Sequence, residues 1–233
     1  MNQARHTRLI PISAAAALMP ALFCAVFGSL STILINDITA SAVLGELFGY
    51  LSDTVGFLCL FVLYACLTHA FVKRRNVRAV LLLCVGETLL RYAVLIIENA
   101  AFYGKNAFAA LNILMWSVNL LIDLLRVLVM ALILRRVSRK TTELEKPSLF
   151  SRKDPLSAGT VCTSLAAFGF YLAVAVLNMT ILLLTVGAPQ SFSEVVTLAT
   201  PYVSALIRAF LGYLAAMLTG QLIVPTSGRK AGK

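Results

Sequence analysis

Long apolar segments separated by short polar ones dominate the pattern of this chain. A helix that crosses the hydrocarbon core of a membrane needs about 20 predominantly apolar residues. Six segments meet this requirement, at residues 10–36, 43–72, 78–102, 108–134, 158–187 and 196–224. The pattern therefore predicts an all-α, polytopic membrane protein, in which a bundle of six transmembrane helices forms a single transmembrane domain over residues 1–233.

The polar connections are of two kinds, which indicate the orientation of the bundle. Three of them, NDITAS, NAAFYGKNA and GAPQSFSE, contain helix breakers and few basic residues. The N-terminus, the segment KRRNVR at 73–78, the linker at 135–157 and the tail GRKAGK together carry 16 Lys and Arg, against Lys105 alone on the opposite side. The positive-inside rule then predicts that both termini are cytoplasmic, and an even number of spans agrees, because it places both termini on the same side.

The composition agrees with a membrane protein and excludes other classes. Hydrophobic residues make up 60% of the chain and charged residues only 13%, and the mean hydropathy is +0.89. The formal charge of +10 is explained by topology signals, so we expect no nucleic-acid partner. We expect a multi-pass protein of the plasma membrane, whose partners are the lipid bilayer, a small polar solute, and a membrane-protein partner or a second copy of the chain.

The third predicted span contains three charged residues, in the stretch VGETLLRYAVLIIENAA. At 100° per residue, Glu87, Arg91 and Glu98 lie at roughly 0°, 40° and 20° around the helix. They form one stripe, and we expect all three to face the same neighbouring helix. Glu87 and Arg91 are also spaced for an ion pair within one turn.

A second polar stripe lies on the fourth predicted span. Asn112, Asn119, Asp123 and Arg126 fall at roughly 0°, −20°, 20° and −40°. A short turn joins the third and fourth helices, which must therefore run antiparallel, with Arg91 and Asp123 at similar depth. Cross-helix pairing is thus expected, and Asp123 and Arg126 are spaced for a pair within their own helix.

Two further charged residues lie in predicted spans, Asp53 in the second and Arg208 in the sixth. The charged residues within the spans are then four acids and three arginines. Each charge at a helix centre costs about 2.5 to 3.5 kcal/mol on insertion scales, whereas a Leu or Ile returns only about 0.3 to 0.6 kcal/mol. The third helix alone is therefore marginal in lipid, and needs the fourth helix or a wet cavity beside it.

These charges have two interpretations. In one, they are ion pairs that hold the bundle together, with small residues at the close helix contacts. In the other, they mark a functional site, as intramembrane ionisable residues do by default. We expect the second: an integral membrane protein that binds or transports a small polar or ionic solute at a charged midplane site, formed by Glu87, Arg91, Asp123, Arg126, Arg208, Asn119 and Asp53.

The alternative function is that of a non-catalytic membrane subunit that docks a partner, with the charges as structural ion pairs. The substrate-binding subunits of energy-coupling-factor-type transporters have this size and span number, and a sensor or assembly subunit is equally compatible. We expect no catalytic site, no metal site and no cofactor, because the sequence lacks HExxH, GxSxG and Walker A motifs. An intramembrane hydrolase is the least favoured interpretation, since Asp53 and Asp123 lack a GxGD context.

Overall fold

The computed structural model describes residues 9–36 and 42–140, together with scattered positions between 169 and 219. The chain divides into two units, Met1–Ala131 and Leu132–Lys233. Nearly all the described residues are helical. The elements in chain order are α1 (Leu9–Phe23), a π-helical segment (Cys24–Gly28), α2 (Ser29–Asn36), α3 (Ala42–Lys73), α4 (Val77–Tyr103), a 3-10 turn (Gly104–Phe108) and α5 (Ala110–Lys140).

The described part of the chain contains four helices that are long and apolar enough to cross a membrane. They cover Leu9–Leu34, Leu47–Lys73, Val77–Tyr103 and Asn112–Arg136. The first four predicted spans are therefore confirmed as apolar helices, and the protein is a membrane protein. The predicted fifth and sixth spans, 158–187 and 196–224, lie outside the described residues apart from single positions, which are helical.

The fifth helix extends beyond the predicted span. The span is expected to end at residue 134 and the basic linker to begin at residue 135; the apolar stretch Asn112–Arg136 agrees with that span, and α5 as a whole continues to Lys140. The residues involved, RRVSRK, contain mostly good helix formers, and Ser138 Oγ donates a hydrogen bond to the carbonyl oxygen of Arg135 at 3.0 Å. The first part of the linker is therefore an extension of the helix.

The basic segment between α3 and α4 forms a tight turn. The N–H of Arg75 donates to the carbonyl of Ala70 at 3.0 Å, and the N–H of Arg74 donates to that of Phe71 at 3.2 Å. This pair of bonds is the Schellman pattern, in which Arg74 takes the left-handed conformation with φ 52°. Asn76, also left-handed at φ 56°, then begins α4. The two helices therefore run antiparallel after a connection of minimal length.

The turn between α4 and α5 depends on a glycine. Gly104 has φ 55° and ψ −134°, a backbone conformation that residues with a Cβ rarely adopt. Its N–H donates to the carbonyl of Ala100 and so caps α4. The 3-10 turn then reverses the chain into α5. The break predicted between the third and fourth spans is thus present from Gly104 onward, whereas residues 99–103 of the predicted breaker segment NAAFYGKNA are helical.

The centre of the first unit is built from small residues of α1 and larger residues of α3. Helix α1 packs against both α3 and α4. Its buried residues include Ser13, Ala16, Ala17 and Ala21, whose small side chains allow close packing. The largest fully buried side chains of α3 are Leu63, Tyr64 and Leu67.

We predict that helix packing near the start of α3 is sensitive to side-chain volume at one glycine and not at another. A Cβ on Gly49 would lie 3.2 Å from Ser31 Oγ, whereas a Cβ on Gly56 would meet nothing within 4 Å. Gly49→Leu should therefore lower the free energy of unfolding in detergent by about 1–3 kcal/mol, as overpacking does. Gly56→Leu, two turns along the same helix, should change it by less than about 0.5 kcal/mol. Equal losses in the two variants would show that α2 does not approach α3 closely at Gly49.

Candidate functional site

Four charged side chains form a chain of ion pairs between α4 and α5. Arg91 Nη2 donates to Asp123 Oδ2 at 2.5 Å, and Arg91 Nε lies 3.4 Å from Glu87 Oε1. On α5, Arg126 Nη1 lies 3.4 Å from Asp123 Oδ1. We call Glu87, Arg91, Asp123 and Arg126 the charge network. Its charges alternate in sign along the contacts and sum to zero.

The spacing along the two helices explains this arrangement. Glu87 and Arg91 are four residues apart, and Asp123 and Arg126 are three apart, so each pair lies on one side of its helix. The short turn at Gly104 makes α4 and α5 antiparallel, which brings Arg91 and Asp123 to the same depth. Both pairs within helices and the cross-helix pair expected from the sequence are therefore present. Arg91 and Asp123 are in direct contact.

Burial distinguishes Arg91 from the rest of the charge network. The side chains of Glu87, Asp123 and Arg126 are 5%, 6% and 5% exposed, whereas that of Arg91 is 19% exposed. A buried charge is tolerated when it is paired, and removal of one partner from such a pair costs about 3–5 kcal/mol. Arg91 is thus the member most accessible to a competing ligand, and it holds both carboxylates.

Tyr92 connects the charge network to its surroundings. Its hydroxyl donates to Asp123 Oδ2 at 3.2 Å, and the Arg91 guanidinium carbon lies 5.0 Å from the centre of its ring. The second distance is within the range of a cation–π interaction. Asp123 therefore contacts three side chains, Arg91, Tyr92 and Arg126. Arg91 likewise contacts three side chains, Glu87, Asp123 and Tyr92.

A second tyrosine, Tyr64 of α3, lies beside the charge network with its hydroxyl unsatisfied. Its side chain is 1% exposed, and its hydroxyl has no hydrogen-bond partner among the described residues. It interacts electrostatically with Arg126, Glu87 and Asp123. Buried polar groups in proteins are almost always hydrogen-bonded, so an orphaned hydroxyl at this position requires an explanation. It is a donor and acceptor available to a bound molecule.

An open cavity of about 290 Å³ lies between α4 and α5, on the side of the charge network nearer to the Gly104 turn. Its aromatic lining is Tyr92, Phe108 and Trp116, and its other lining residues are Ile96, Ile113, Ser117 and Leu120. Leu120 and Asp123 are three residues apart and lie on neighbouring turns of the same face of α5. We call this face and the facing side of α4 the α4–α5 seam. The charge network and the cavity are therefore neighbours along the α4–α5 seam, and Tyr92 contributes to both.

The lining of the cavity is mostly apolar, and its two hydroxyl groups are already bonded within the protein. Ser117 Oγ donates to the carbonyl of Ile113 at 2.7 Å, and the Tyr92 hydroxyl donates to Asp123. The cavity itself is therefore suited to an apolar group, in contrast to the charged site next to it.

Glu98, the third charge of α4, contacts a different helix from the one expected. Its carboxylate accepts hydrogen bonds from Ser29 Oγ at 3.1 Å and from Cys24 Sγ at 3.7 Å. The expectation that Glu87, Arg91 and Glu98 all face the same neighbour is therefore wrong. The three residues do share one stripe of α4, but the first span replaces α5 as the neighbour at the depth of Glu98.

The π-helical segment explains how two donors reach Glu98 together. In an α-helix, residues 24 and 29 would be separated by about 140° around the axis. Hydrogen bonds in a π-helix join residues five apart, which places these two residues one above the other. Gly28 lies beside the same carboxylate, since a Cβ built there would be in ordinary van der Waals contact, 3.5 Å from Glu98 Oε1. Glu98 thus ties α4 to the first span.

Three predicted site residues remain, Asp53, Asn119 and Arg208. Asp53 is exposed on α3. Asn119 is half-buried on α5, one turn from Asp123 on the α4–α5 seam. Arg208 is helical and half-buried, and it belongs to the second unit, Leu132–Lys233. Among the described residues, no group of three His, Cys, Asp or Glu side chains is arranged to hold a metal ion.

Sequence analysis missed Tyr64, Tyr92 and the cavity. Tyr92 directly follows Arg91 and lies about 140° from Glu87 around the helix, off the charged stripe, so the helical angles give no reason to pair it with Asp123. Tyr64 lies in an apolar segment where an aromatic residue is usual. One signal was available in the sequence, because Trp116, Asn119 and Asp123 recur at three- and four-residue intervals on a single face of α5.

We predict that Asp123 is the residue of the charge network on which stability depends most. Asp123→Asn removes the carboxylate that Arg91 and Arg126 share, and should lower the free energy of unfolding by about 3–5 kcal/mol. The double variant Asp123→Asn/Arg91→Gln should be less destabilised than the sum of the single variants, because it also removes one of the excess charges. Asp53→Asn, at an exposed acid, is the matched control and should have little effect. Additive single and double effects would show that the ion pair contributes no coupling energy.

We also predict that Ser29 stabilises the contact between the first span and α4. Ser29→Ala removes the shorter of the two hydrogen bonds to Glu98 and should cost about 0.5–2 kcal/mol in unfolding free energy. Ser117→Ala is the control, since Ser117 Oγ bonds only to its own helix in the described structure. Unfolding in a graded detergent series measures both. A loss at Ser117 as large as that at Ser29 would contradict the assignment of Glu98 to the first span.

Comparison with protein-family models, with curated proteins and with solved structures finds no match to this chain.

Proposed function

We propose that this membrane protein binds, and moves across the membrane, a small polar or ionic solute at the charge network. The observation that carries the proposal is the Tyr64 hydroxyl, which is buried beside four alternating charges and has no partner among the described residues. Desolvating a hydroxyl without a hydrogen bond costs about 1–3 kcal/mol, and a bound polar solute would recover that cost. Arg91 supplies the accessible charge of the same site.

The charges of this site suit transient binding. Arg91 binds two carboxylates at once, and an anionic group on a solute can compete for its planar guanidinium. When such a group binds Arg91, Asp123 keeps its contacts with Tyr92 and Arg126. A solute can therefore enter the charge network without leaving Asp123 unpaired, which would be expensive at this depth. Asn119, one turn away, adds a polar amide next to the same site.

The expected orientation follows from charge outside the spans. Sixteen basic residues lie on the side of both predicted termini and Lys105 on the other. We infer a plasma-membrane protein with both termini in the cytoplasm, on the support of the positive-inside rule.

We predict that Tyr64→Phe separates a binding role of the hydroxyl from a structural one. Because this hydroxyl bonds to nothing in the described structure, its removal should leave the free energy of unfolding unchanged or slightly higher. It should weaken solute binding by about tenfold, the equivalent of one hydrogen bond. Tyr103→Phe, at an exposed tyrosine, is the control. Binding is measured as thermal stabilisation of the purified protein in nanodiscs by acetate, inorganic phosphate, choline, glycine and L-phenylalanine.

The same thermal-stabilisation measurement is made on variants of Arg91. Arg91→Gln should abolish the stabilisation by whichever probe binds the wild-type protein, and Lys105→Gln should not. If Arg91→Gln does not fold, Arg91→Lys keeps the charge and should retain weakened binding. Stabilisation by none of the five probes, or equal binding by wild type, Tyr64→Phe and Arg91→Gln, would overturn the proposal.

A second candidate is supported by the pairing of the charges. Each member of the charge network already has an oppositely charged neighbour within the chain, as expected of ion pairs that only hold a bundle together. The protein would then be a non-catalytic subunit that docks a membrane partner. This function predicts that no probe binds, that Tyr64→Phe changes nothing, and that the wild-type protein co-purifies with its partner from native membranes.

A further inference from the structure

The charge balance of the site restricts the kind of solute that it can take. Two acids and two arginines neutralise each other in the charge network. Addition of a single anion or cation would leave one net charge at low dielectric, which is costly without a further partner. A zwitterion adds one charge of each sign and leaves the sum at zero. Electrostatic complementarity therefore favours a solute with both a carboxylate and an ammonium group.

The Arg91–Asp123 contact shows how such a solute is accommodated. Their side chains now meet directly, at 2.5 Å. A zwitterion placed between them replaces this ion pair with two others, Arg91 to the carboxylate and Asp123 to the ammonium. Each charge keeps a partner, and Glu87 and Arg126 remain in place on either side. The exchange requires only that α4 and α5 separate slightly at this depth.

The cavity next to the charge network indicates the chemical character of the remaining part of the solute. It begins at Tyr92, whose hydroxyl bonds Asp123 and whose ring lies 5.0 Å from the Arg91 guanidinium carbon. Its volume of about 290 Å³ exceeds that needed for a benzene-sized group, since an apolar cavity of about 150 Å³ binds benzene. Its lining is mostly apolar and its two hydroxyl groups are bonded within the protein, so an apolar group suits the cavity better than a polar one.

We propose that the solute is an amino-acid-type zwitterion with an apolar side chain, with its carboxylate on Arg91, its ammonium on Asp123 and its side chain in the cavity lined by Tyr92, Trp116 and Leu120. The inference rests on the proposed function and specifies its substrate class. Tyr92 separates the two parts of the site and is a positioning residue for both.

The test compares four probes that differ in one feature each. L-Phenylalanine has the zwitterion and the ring, glycine has the zwitterion alone, phenylacetate has the ring and the anion, and phenethylamine has the ring and the cation. Binding to the wild-type protein in nanodiscs is followed by thermal stabilisation and by the fluorescence of Trp116, the only tryptophan of the chain. L-Phenylalanine should bind at least about tenfold more tightly than each of the other three.

Two variants test the cavity itself. Leu120→Trp places a larger side chain in the cavity, whereas Leu121→Trp places the same side chain on the exposed side of α5, where Leu121 is 58% exposed. Competition with radiolabelled L-phenylalanine gives the affinities. Leu120→Trp should reduce the preference for L-phenylalanine over glycine to less than about threefold, and Leu121→Trp should retain it.

The possible failures are distinguishable. If glycine or phenylacetate binds as tightly as L-phenylalanine, or if Leu120→Trp keeps the full preference, the inference is overturned while the proposed function stands. The same conclusion follows if acetate, inorganic phosphate or choline binds and L-phenylalanine does not. If no probe binds at all, both the inference and the proposed function fail.

Discussion

The contact between Arg91 and Asp123 joins two helices that lipid alone would not hold. Each of these charges is costly in a hydrocarbon environment, and neither can be hydrated at that depth without a wet cavity. Pairing across α4 and α5 removes most of that cost, and Glu87 and Arg126 extend the pairing on either side. The position of α5 against α4 is therefore governed by electrostatics. Elsewhere in the first unit, packing of small residues against α3 governs the contacts.

The same contact creates the conditions for a binding site. Large side chains at the seam keep α4 and α5 apart on the side of the Gly104 turn, and the cavity lies in the space between them. An apolar cavity next to a neutral but highly charged cluster is an unusual combination, because each part by itself would recognise a different class of molecule. Tyr92 belongs to both, and Tyr64 adds a buried hydroxyl from α3. A solute that satisfies all of these groups must be amphipathic and electrically neutral overall.

Glu98 is a further charged residue of α4, and hydrogen bonds from the first span stabilise its carboxylate. Its partners are a hydroxyl and a thiol on the first span, brought onto one side by the π-helical segment at Cys24–Gly28. Such segments occur often at functional sites, because they redirect side chains without breaking the helix. Here the segment provides two hydrogen bonds to the Glu98 carboxylate. The first span and α5 are thus both attached to α4 through its charged stripe, at the different depths of Glu98 and Arg91.

The sequence by itself determined the class of the protein, the positions of its first four spans and the pairs within each helix. These properties depend on segment length, hydropathy and the fixed 100° step of the helix, all of which are local. It also indicated that Arg91 and Asp123 lie at the same depth, because the short turn at Gly104 leaves no other arrangement. Only the tertiary structure decided which helix each charge faces. Helical angles place Glu87, Arg91 and Glu98 on one stripe, but the neighbour beside that stripe changes with depth as helices cross. The π-helical segment, the hydroxyl of Tyr64 and the cavity beside Tyr92 likewise depend on how side chains of distant segments fill space, which no local pattern encodes.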